Sequence, residues 1–291
     1  MTSKKVAITG ASTPLGNVLA ALLRKNGYEV VELSRSLLLR PIPDITKHID
    51  GCEVLCNLQG VPFESRWTGR YQYDLYADRI TTIHNLSQAL NYCNVRPKVF
   101  MGLSNAMIYD KYDVHTDFST AYGDGFMSEV GRMETMEMMK LKKKYKDKRL
   151  IILRSGYVMC RRGGVYPILR RLSRLHLAGV IDDGYQCIPI VHINDAANAI
   201  LFLIDNENAE GIFNISIPEM CSMRELVDSI KKYQSGFQLP LPRTLLRSLA
   251  GRATELFEQN CKVSPQRLTQ MGFQFLYPNI DSVIHALSKK Q

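Results

Sequence analysis

The sequence has no uninterrupted apolar stretch long enough to cross a bilayer. Its longest apolar segment, residues 188–204, is broken by His192, Asn194, Asp195 and Asn198. A spanning helix needs about 20 predominantly apolar residues. No signal peptide fits the N-terminus either, because the first predicted strand begins almost directly after Met1. We therefore expect no membrane segment and a cytoplasmic protein.

Cysteine occurs, but not in the patterns that form metal or redox sites. The seven cysteines include no Cys-x-x-Cys pair, their number is odd, and Cys52 and Cys56 show no zinc-binding spacing. We therefore expect reduced thiols and no bound metal. With 291 residues, of which 45% are apolar and 22% charged, the chain can bury a substantial core without disulfides.

The charge is unbalanced, with 37 basic and 28 acidic residues and a net charge of +9. Such a balance suits an anionic partner, either a phosphorylated cofactor or a nucleic acid. Much of the excess lies in residues 140–149, at the end of a predicted helix, where cations suit the helix dipole and solvent. No aromatic stacking platform accompanies this run, so nucleic-acid binding is the weakest hypothesis. A methionine stripe on the same helix suits core packing or an interface, and a homo-oligomer stays open.

The stretch from Lys4 to Arg35 predicts one βαβ unit. An apolar run leads into the turn at residues 9–16, a periodic apolar segment follows, and a second apolar run ends at Leu33. In such a unit the turn presents backbone N–H groups and a helix N-terminus to a pyrophosphate. The glycine pattern alone is weak, but its place between strand and helix strengthens it. The predicted contacts of this dinucleotide turn are Gly10, Thr13, Leu15 and Gly16.

Strands and helices continue to alternate, which predicts a parallel sheet covered by helices on both faces. Residues 60–69, which include the single tryptophan Trp67, are predicted as an exposed loop, and Asn194 as a helix N-cap. We predict an α/β fold: a doubly wound, mostly parallel Rossmann sheet of about seven strands with a small, mainly helical C-terminal lobe. Residues 1–216 form the predicted dinucleotide-binding domain, with 156–187 contributing to the substrate lobe, and 217–291 form a small capping domain.

The end of the second predicted strand bears on the choice of dinucleotide. A site for NAD places a carboxylate there for the ribose 2′-OH, whereas an arginine accommodates the 2′-phosphate of NADP. Here Glu32 lies inside the strand, and Ser34 and Arg35 follow it. The hydroxyl and the guanidinium favour NADP, although a surface arginine after a strand also occurs without a ligand.

Several motifs together resemble one known family. The matching stretches are Thr9-Gly10 with Leu15-Gly16, Ser34-Arg35, Asn57-Leu58-Gln59-Gly60, Arg66-Trp67-Thr68, Arg79, Leu153-Arg154-Ser155-Gly156-Tyr157-Val158, Gly163-Gly164, Val191-His192-Ile193-Asn194-Asp195, Lys262-Val263-Ser264-Pro265-Gln266-Arg267-Leu268 and Gly272-Phe273-Gln274-Phe275. On these stretches the chain resembles the atypical extended short-chain dehydrogenase/reductases. Within them it is similar to the "epimerase family protein" group, which joins a domain like that of NAD-dependent epimerases and dehydratases to a small C-terminal domain.

The resemblance implies NADP bound across the C-terminal ends of the strands. It places Ser34-Arg35 at the adenosine phosphate and Leu58-Gln59 beside the adenine ribose and the pyrophosphate. It also places Asp74 and Arg79, on the helix after Trp67, at further cofactor contacts.

Two positions depart from the pattern of that family. Thr13 replaces the middle glycine of the turn and Pro14 follows it; both are expected to weaken pyrophosphate binding, although the Thr13 hydroxyl could replace one hydrogen bond. The family's superfamily uses Tyr-x-x-x-Lys, in which the lysine lowers the pKa of a tyrosine that transfers a proton. Aligned through Glu134, these positions hold Phe126 and Val130, which cannot transfer a proton.

Other side chains could act as the acid. Tyr109 follows a central strand, and Tyr122 and His192 lie on segments predicted to line the same cleft, but isolated tyrosines and histidines are more often structural. Arg154, at a strand end, suits either an anion clamp or a pair with an acidic core neighbour. The catalytic residues stay open, with Tyr109 and His192 as candidates.

Two functional hypotheses follow. The first is an NADP-dependent oxidoreductase or epimerase-like enzyme acting on an unknown small molecule. The second is a catalytically inactive dinucleotide-binding sensor or scaffold that acts through protein contacts.

Overall fold

The structure is a computed structural model that describes residues 4–60, 67–174, 180, 183–233 and 258–289. Its strands are β1 (Lys5–Thr9), β2 (Glu29–Leu33), β3 (Val54–Asn57), β4 (Val99–Asn105), β5 (Val114–His115), β6 (Arg149–Ser155), β7 (Tyr157–Met159), β8 (Ile190–His192), β9 (Gly211–Ile215) and β10 (Lys262–Val263). Its helices are α1 (Pro14–Lys25), α2 (Arg35–Leu38), α3 (Ile42–Ile49), α4 (Gly69–Asn91), α5 (Phe126–Lys144), α6 (Val165–Arg174), α7 (Ile193–Asp205), α8 (Met223–Lys232), α9 (Gln266–Gln270) and α10 (Ile280–Ser288), with a short 3-10 helix at Ala106–Ile108.

Six strands form one parallel sheet in the order β2-β1-β3-β4-β6-β9. Successive side chains of a strand point to opposite faces, so Val6 and Ile8 enter one core and Ala7 the other. Helices α1 and α7 cover the first face, and α3, α4 and α5 cover the second. The predicted doubly wound Rossmann architecture is therefore confirmed.

Helix boundaries follow from capping residues. The side chains of Thr13, Thr68 and Ser222 accept hydrogen bonds from backbone N–H groups in the first turns of α1, α4 and α8. After α1 the chain turns at Gly27, whose φ of +84° lies in the left-handed region that favours glycine. These local signals bring β1, α1 and β2 together as the βαβ unit that the sequence predicts.

Three details differ from the sequence-based expectations. Among the described residues the main sheet has six strands rather than about seven, because the strand predicted at residues 188–193 is β8, which pairs with β7 in a separate two-stranded sheet. Trp67 is buried rather than exposed, since its indole packs edge-on against the ring of Phe126 at 5.4 Å. Helix α7 begins at Ile193, and its N-cap is His192, not Asn194.

The sequence also predicts a short helix at residues 242–249, and these residues lie outside the described ranges. Within the ranges given above, no helix combines the length and the apolar character that a membrane span requires. In the same ranges no group of three or more histidine, cysteine or acidic side chains is arranged to hold a metal ion. All seven cysteines lie within these ranges, and none of them forms a disulfide there.

Candidate functional site

The glycine turn between β1 and α1 is packed too closely for side chains. A Cβ added to Gly10 would lie 2.8 Å from the carbonyl oxygen of Leu58, and one added to Gly16 would lie 2.1 Å from the carbonyl oxygen of Gly10. Gly10 also has a φ of +70°. Both positions therefore require glycine, and the turn keeps the open backbone surface on which a pyrophosphate could rest.

The side-chain hydroxyl of Thr13 forms two hydrogen bonds within this turn. Its hydroxyl accepts a hydrogen bond from the N–H of Gly16 at 3.1 Å and donates one to the carbonyl of Gly10 at 2.8 Å. Pro14, the first residue of α1, has no N–H. Among residues 14–16, only Leu15 therefore has an N–H group that remains available to donate a hydrogen bond to a ligand. The hydroxyl of Thr13 thus caps the helix in the place where an anion would bind.

The strand end near the predicted adenosine site carries an ion pair. The guanidinium of Arg35 lies 2.6 Å from a carboxylate oxygen of Asp78 on α4, and the second oxygen of that carboxylate is buried without a hydrogen-bond partner among the described residues. The hydroxyl of Ser34 accepts a hydrogen bond from the N–H of Leu37 and so caps α2. Glu32 pairs with Arg24 instead of lying at the strand end. The cation at this end is therefore Arg35, held by Asp78.

A buried network lies beneath the centre of the sheet's C-terminal edge. The guanidinium of Arg79 contacts one oxygen of Glu134 at 2.7 Å, and the hydroxyl of Ser104 donates to the other oxygen at 2.9 Å. All three side chains are buried. Glu134 therefore joins α4 to the end of β4 through α5.

The main cavity, of about 540 Å³, runs along the C-terminal ends of the central strands. It begins at the glycine turn, passes the end of β3, and reaches the ends of β4 and β6. Its lining residues are Thr13, Pro14, Leu15, Leu58, Gly60, Arg79, Leu103, Ser104, Asn105, Met107, Met127, Ser155, Gly156, Tyr157, Val158, Cys160, Gly163, Gly164, Pro167, Ile168 and Pro189. Most of these side chains are apolar, so the few polar groups decide how a ligand is oriented.

Only some of the predicted cofactor-binding residues lie at this cavity. Thr13, Leu15, Leu58 and Arg79 line it, and Gly10 and Gly16 shape its turn. The backbone N–H of Gln59 donates to the hydroxyl of Thr9 at 3.1 Å. Asp74 does not line the cavity: its carboxylate lies 3.3 Å from Arg70 on the exposed side of α4.

Phe126 and Val130, the positions that the resemblance assigns to the tyrosine–lysine pair, lie in apolar surroundings. Phe126 packs against Trp67, as described above, and Val130 is fully buried beside Leu75. Neither side chain lines the main cavity. Helix α5 instead presents Met127 to it.

Tyr109, a candidate acid, is fully buried and does not line the main cavity. Its hydroxyl donates to Asn214 at 2.8 Å and accepts from the guanidinium of Arg154 at 2.9 Å. Arg154 also donates to the hydroxyl of Tyr122 at 3.1 Å. Burial raises the pKa of Tyr109, which opposes proton transfer near neutral pH. The arrangement is that of a structural network, in which Arg154 contacts the hydroxyls of two tyrosines.

His192, the other candidate, serves as a helix cap. Its Nδ1 accepts a hydrogen bond from the N–H of Asn194 at 3.2 Å, and its ring lies 4.0 Å from that of Tyr277. Burial lowers the pKa of His192 to about 4, so the ring is neutral at physiological pH. It does not line the main cavity.

A second cavity, also of about 540 Å³, adjoins the first through Met127. Its lining is more polar and includes Trp67, Asp110, Tyr112, Tyr122, Asp124 and Glu258. Tyr122 therefore faces this neighbouring space and not the main cavity.

Four polar residues that line the main cavity were not among the predicted site residues: Ser104, Asn105, Ser155 and Tyr157. Asn105 follows Ser104 at the end of β4, and Tyr157 opens β7. The signal available for Asn105 was its place at the end of a buried strand, where ligand-binding residues of parallel sheets collect.

Comparison with known proteins assigns this architecture. The model of the family described as "NAD dependent epimerase/dehydratase family" matches residues 6–216, and a model described only as a domain of unknown function matches residues 241–287. An epimerase family protein of Staphylococcus epidermidis is 26% identical over 303 residues, covering 98% of this chain and 99% of that protein. A Staphylococcus aureus epimerase family protein is 26% identical over 304 residues, covering 99% and 100%.

Solved structures share the fold. The crystal structure of the human epimerase family protein SDR39U1 with NADPH has a TM-score of 0.84 at 22% identity and covers 98% of this chain and 99% of its own. UDP-glucuronic acid 4-epimerase from Bacillus cereus, in complex with UDP-glucuronic acid and NAD, has a TM-score of 0.77 at 16% identity, covering 98% of both chains.

Proposed function

We propose that this chain, which belongs to the NAD dependent epimerase/dehydratase family, binds NADP(H) in its main cavity and acts as an oxidoreductase or epimerase-like enzyme on a small molecule. The observation that carries the proposal is the course of that cavity, from the glycine turn to the ends of β4 and β6. In open parallel sheets, ligands bind in the crevice at these strand ends. The NADPH named in the human relative's structure is further support.

The choice of NADP over NAD rests on Arg35. Its guanidinium is half-exposed and can turn from Asp78 to a 2′-phosphate, whereas the carboxylate of Glu32 is held by Arg24. A guanidinium binds phosphate through charge-assisted hydrogen bonds. Asp78 competes for the same cation, so the net gain is smaller than for an unpaired arginine.

The residues present fit a dinucleotide. Gly10 and Gly16 keep the turn free of side chains, and the N–H of Leu15 can donate to the pyrophosphate. When bound, the dinucleotide supplies the hydride donor or acceptor. The apolar walls of the cavity exclude water, and its polar side chains at the ends of β4 and β6 orient the reacting groups.

We also propose a role for each of three segments of the chain. Residues 1–216 hold the dinucleotide, 156–187 help to shape the substrate end, and 217–291 cap it. In support of this proposal, Gly163 and Gly164 line the main cavity, and Glu258 and Gln259 of the C-terminal segment line the second cavity beside it.

A second function, that of a catalytically inactive sensor or scaffold, is favoured by one specific observation. Phe126 and Val130 replace the proton-transferring pair, and both Tyr109 and His192 lie outside the lining of the main cavity. NADPH that binds tightly but is never oxidised across a panel of carbonyl compounds would support the sensor or scaffold hypothesis. Steady oxidation with any member of the panel would support the enzyme.

Arg35→Gln tests the cofactor assignment. We expect NADPH to raise the Tm of the wild type more than NADH does, and Arg35→Gln to weaken NADPH binding about tenfold or more while leaving NADH unchanged, because one charge-assisted contact is lost. Isothermal titration gives the affinities. Lys5→Gln is the matched control, since Lys5 also pairs with one carboxylate, that of Glu29 at 3.1 Å, at the opposite end of β1 and β2. Equal affinities for NADPH and NADH in the wild type would contradict the assignment.

A further inference from the structure

The second cavity, which adjoins the main cavity at Met127, carries a charge opposite to that of the whole protein. Three carboxylates line it, those of Asp110, Asp124 and Glu258. Among the lining residues that the structure describes, Lys111 alone is basic. The whole chain has a net charge of +9. The cavity therefore attracts a cation and repels an anion, although the molecule as a whole does the reverse.

Two of these carboxylates are well placed to meet a ligand. One oxygen of Asp110 accepts a hydrogen bond from the N–H of Tyr112 at 2.9 Å and lies 3.1 Å from Nε2 of the buried His115. The hydrogen bond from Tyr112 holds the pKa of Asp110 below its usual range, so this group is negative near neutral pH. Asp124 is exposed and forms no hydrogen bond or ion pair with any described residue. Its charge is therefore available to a ligand.

Aromatic rings form another part of this wall, those of Trp67, Tyr112, Tyr122 and Phe126. The face of an aromatic ring attracts a cation. One cation of the chain already uses such a ring, since Nζ of Lys111 lies 5.5 Å from the centroid of the Tyr112 ring. An ammonium group thus already lies against the aromatic part of the wall, beside the carboxylates.

The buried guanidinium of Arg154 does not cancel the negative charge of the cavity. Arg154 does not line the cavity, and it donates to the hydroxyl of Tyr122 at 3.1 Å. Through Tyr109 and Asn214 the same guanidinium is joined by hydrogen bonds to the buried carboxylate of Asp117. These two groups of opposite charge offset each other behind the wall. The charge that a ligand meets is therefore set by the lining carboxylates.

We infer that the second cavity binds the ammonium group of a small organic molecule whose other end occupies the main cavity. This inference rests on the proposed function and names its substrate class, an amine-bearing small molecule. Met127 lies at the passage, since it lines both cavities. Carboxylates and aromatic faces together are the groups that bind organic cations in water. A phosphorylated sugar would instead bring its negative charges against the same carboxylates.

Three probes of similar shape measure the sign of the cavity. Choline carries a quaternary ammonium group, neohexyl alcohol has carbon in place of the nitrogen, and tert-butylacetic acid is an anion at neutral pH. Isothermal titration gives their affinities for the full chain in the presence of saturating NADPH, which fills the dinucleotide site. We expect choline to bind about tenfold more tightly than neohexyl alcohol, because it gains charge pairing and a cation–π contact, and the anion to bind most weakly.

Asp124→Asn tests the carboxylates. It should lower the choline affinity about threefold to fivefold, because one attractive charge is lost, and leave the affinity for neohexyl alcohol unchanged. Glu129→Gln is the matched control, since Glu129 is also exposed and forms no hydrogen bond or ion pair through its side chain with any described residue, but lines neither cavity. Both side chains are exposed, and an unchanged Tm of each variant checks that it folds.

Tyr112→Leu tests the aromatic part of the wall. It should lower the choline affinity about threefold, and Tyr112→Phe, which keeps the ring, should bind choline as the wild type does. Tyr185→Leu is the matched control. Both tyrosines are 71% exposed, and Tyr185 also has a cation near its ring, that of Arg224 at 5.4 Å, but it lines neither cavity.

The outcomes separate this inference from the proposed function. A wild type that binds NADPH but binds choline and neohexyl alcohol equally would overturn the inference and leave the proposed function intact. A loss of choline affinity that Glu129→Gln shares with Asp124→Asn would also overturn it, because the effect would then come from the surface charge as a whole. A wild type that binds no NADPH would overturn the proposed function, and with it the assignment of the cation to a substrate.

Discussion

Thr13 determines how many backbone donors the glycine turn offers to a phosphate. Its hydroxyl holds the N–H of Gly16, and Pro14 contributes no N–H. Thr13→Gly would release the N–H of Gly16 and remove the side chain from the cavity wall. We expect NADPH affinity to rise about tenfold, because a hydrogen bond to a charged group contributes about 1.5–3 kcal/mol, less the loss of pre-ordering in the turn. Isothermal titration measures the change.

The same substitution should barely alter the stability of the ligand-free protein, since glycine replaces a capping side chain at a cost of only a few tenths of a kcal/mol. Thr13→Ser is the matched control: it keeps the capping hydroxyl and should bind NADPH as the wild type does. If Thr13→Gly binds no more tightly than Thr13→Ser, the cap is not what limits the turn.

Helix α5 shows why the missing tyrosine–lysine pair cannot simply be restored. Val130 is fully buried beside Leu75, so a lysine there would place an ammonium group in an apolar core. We expect Val130→Lys to lower the free energy of unfolding by about 3 kcal/mol or more, because an unpaired buried charge is strongly destabilising. Urea unfolding measures this loss.

Val130→Met provides the comparison for that variant, as methionine has similar length without the charge. We expect about 1–3 kcal/mol of destabilisation from its extra bulk alone. Equal stabilities of the two variants would mean that the ammonium group reaches water, and that position 130 is less enclosed than the packing indicates.

At the scale of single helices and strands, the sequence was informative about the structure where the signals are local. The turn at residues 9–16, the capping residues and the apolar runs specify β1, α1 and β2, because each depends on residues a few positions apart. The burial of Trp67 and the pairing of β8 with β7 outside the main sheet depend on partners far along the chain. The apolar periodicity of the sequence carries no information about such distant partners.

The candidate site divides in the same way. Contacts of Gly10, Leu15 and Arg35 with a cofactor stay predictions, but the positions of these residues at strand ends and at the start of α1 could be predicted from the sequence. The engagement of Arg35 by Asp78 could not, since it requires α4 to pack beside the end of β2. Nor could the buried oxygen of Asn105, which has no hydrogen-bond partner among the described residues, because this property depends on the contacts of all the groups around it.

Across the whole molecule, the C-terminal residues 258–289 are joined to the Rossmann sheet by buried polar contacts. The carboxylate of Asp195 accepts hydrogen bonds from the N–H groups of Leu276 and Tyr277, each at 2.9 Å. The guanidinium of Arg267 donates to the carbonyl of Ile212 at 2.8 Å and lies 4.1 Å from the ring of Phe213. The small lobe is therefore part of the core on which the sheet depends.

A chain ending at Ser216, where the family match ends, should accordingly fail to fold on its own. It would leave the buried carboxylate of Asp195 without its donors and would expose the apolar surface that Leu268 and Phe273 cover. We expect no cooperative thermal transition, and binding of an apolar dye typical of a loosened core. Addition of the fragment 217–291 should restore a cooperative transition. A shortened chain that melts cooperatively and binds NADPH by itself would show instead that residues 1–216 are an independent domain, and that the polar contacts across the lobe stabilise only its docking.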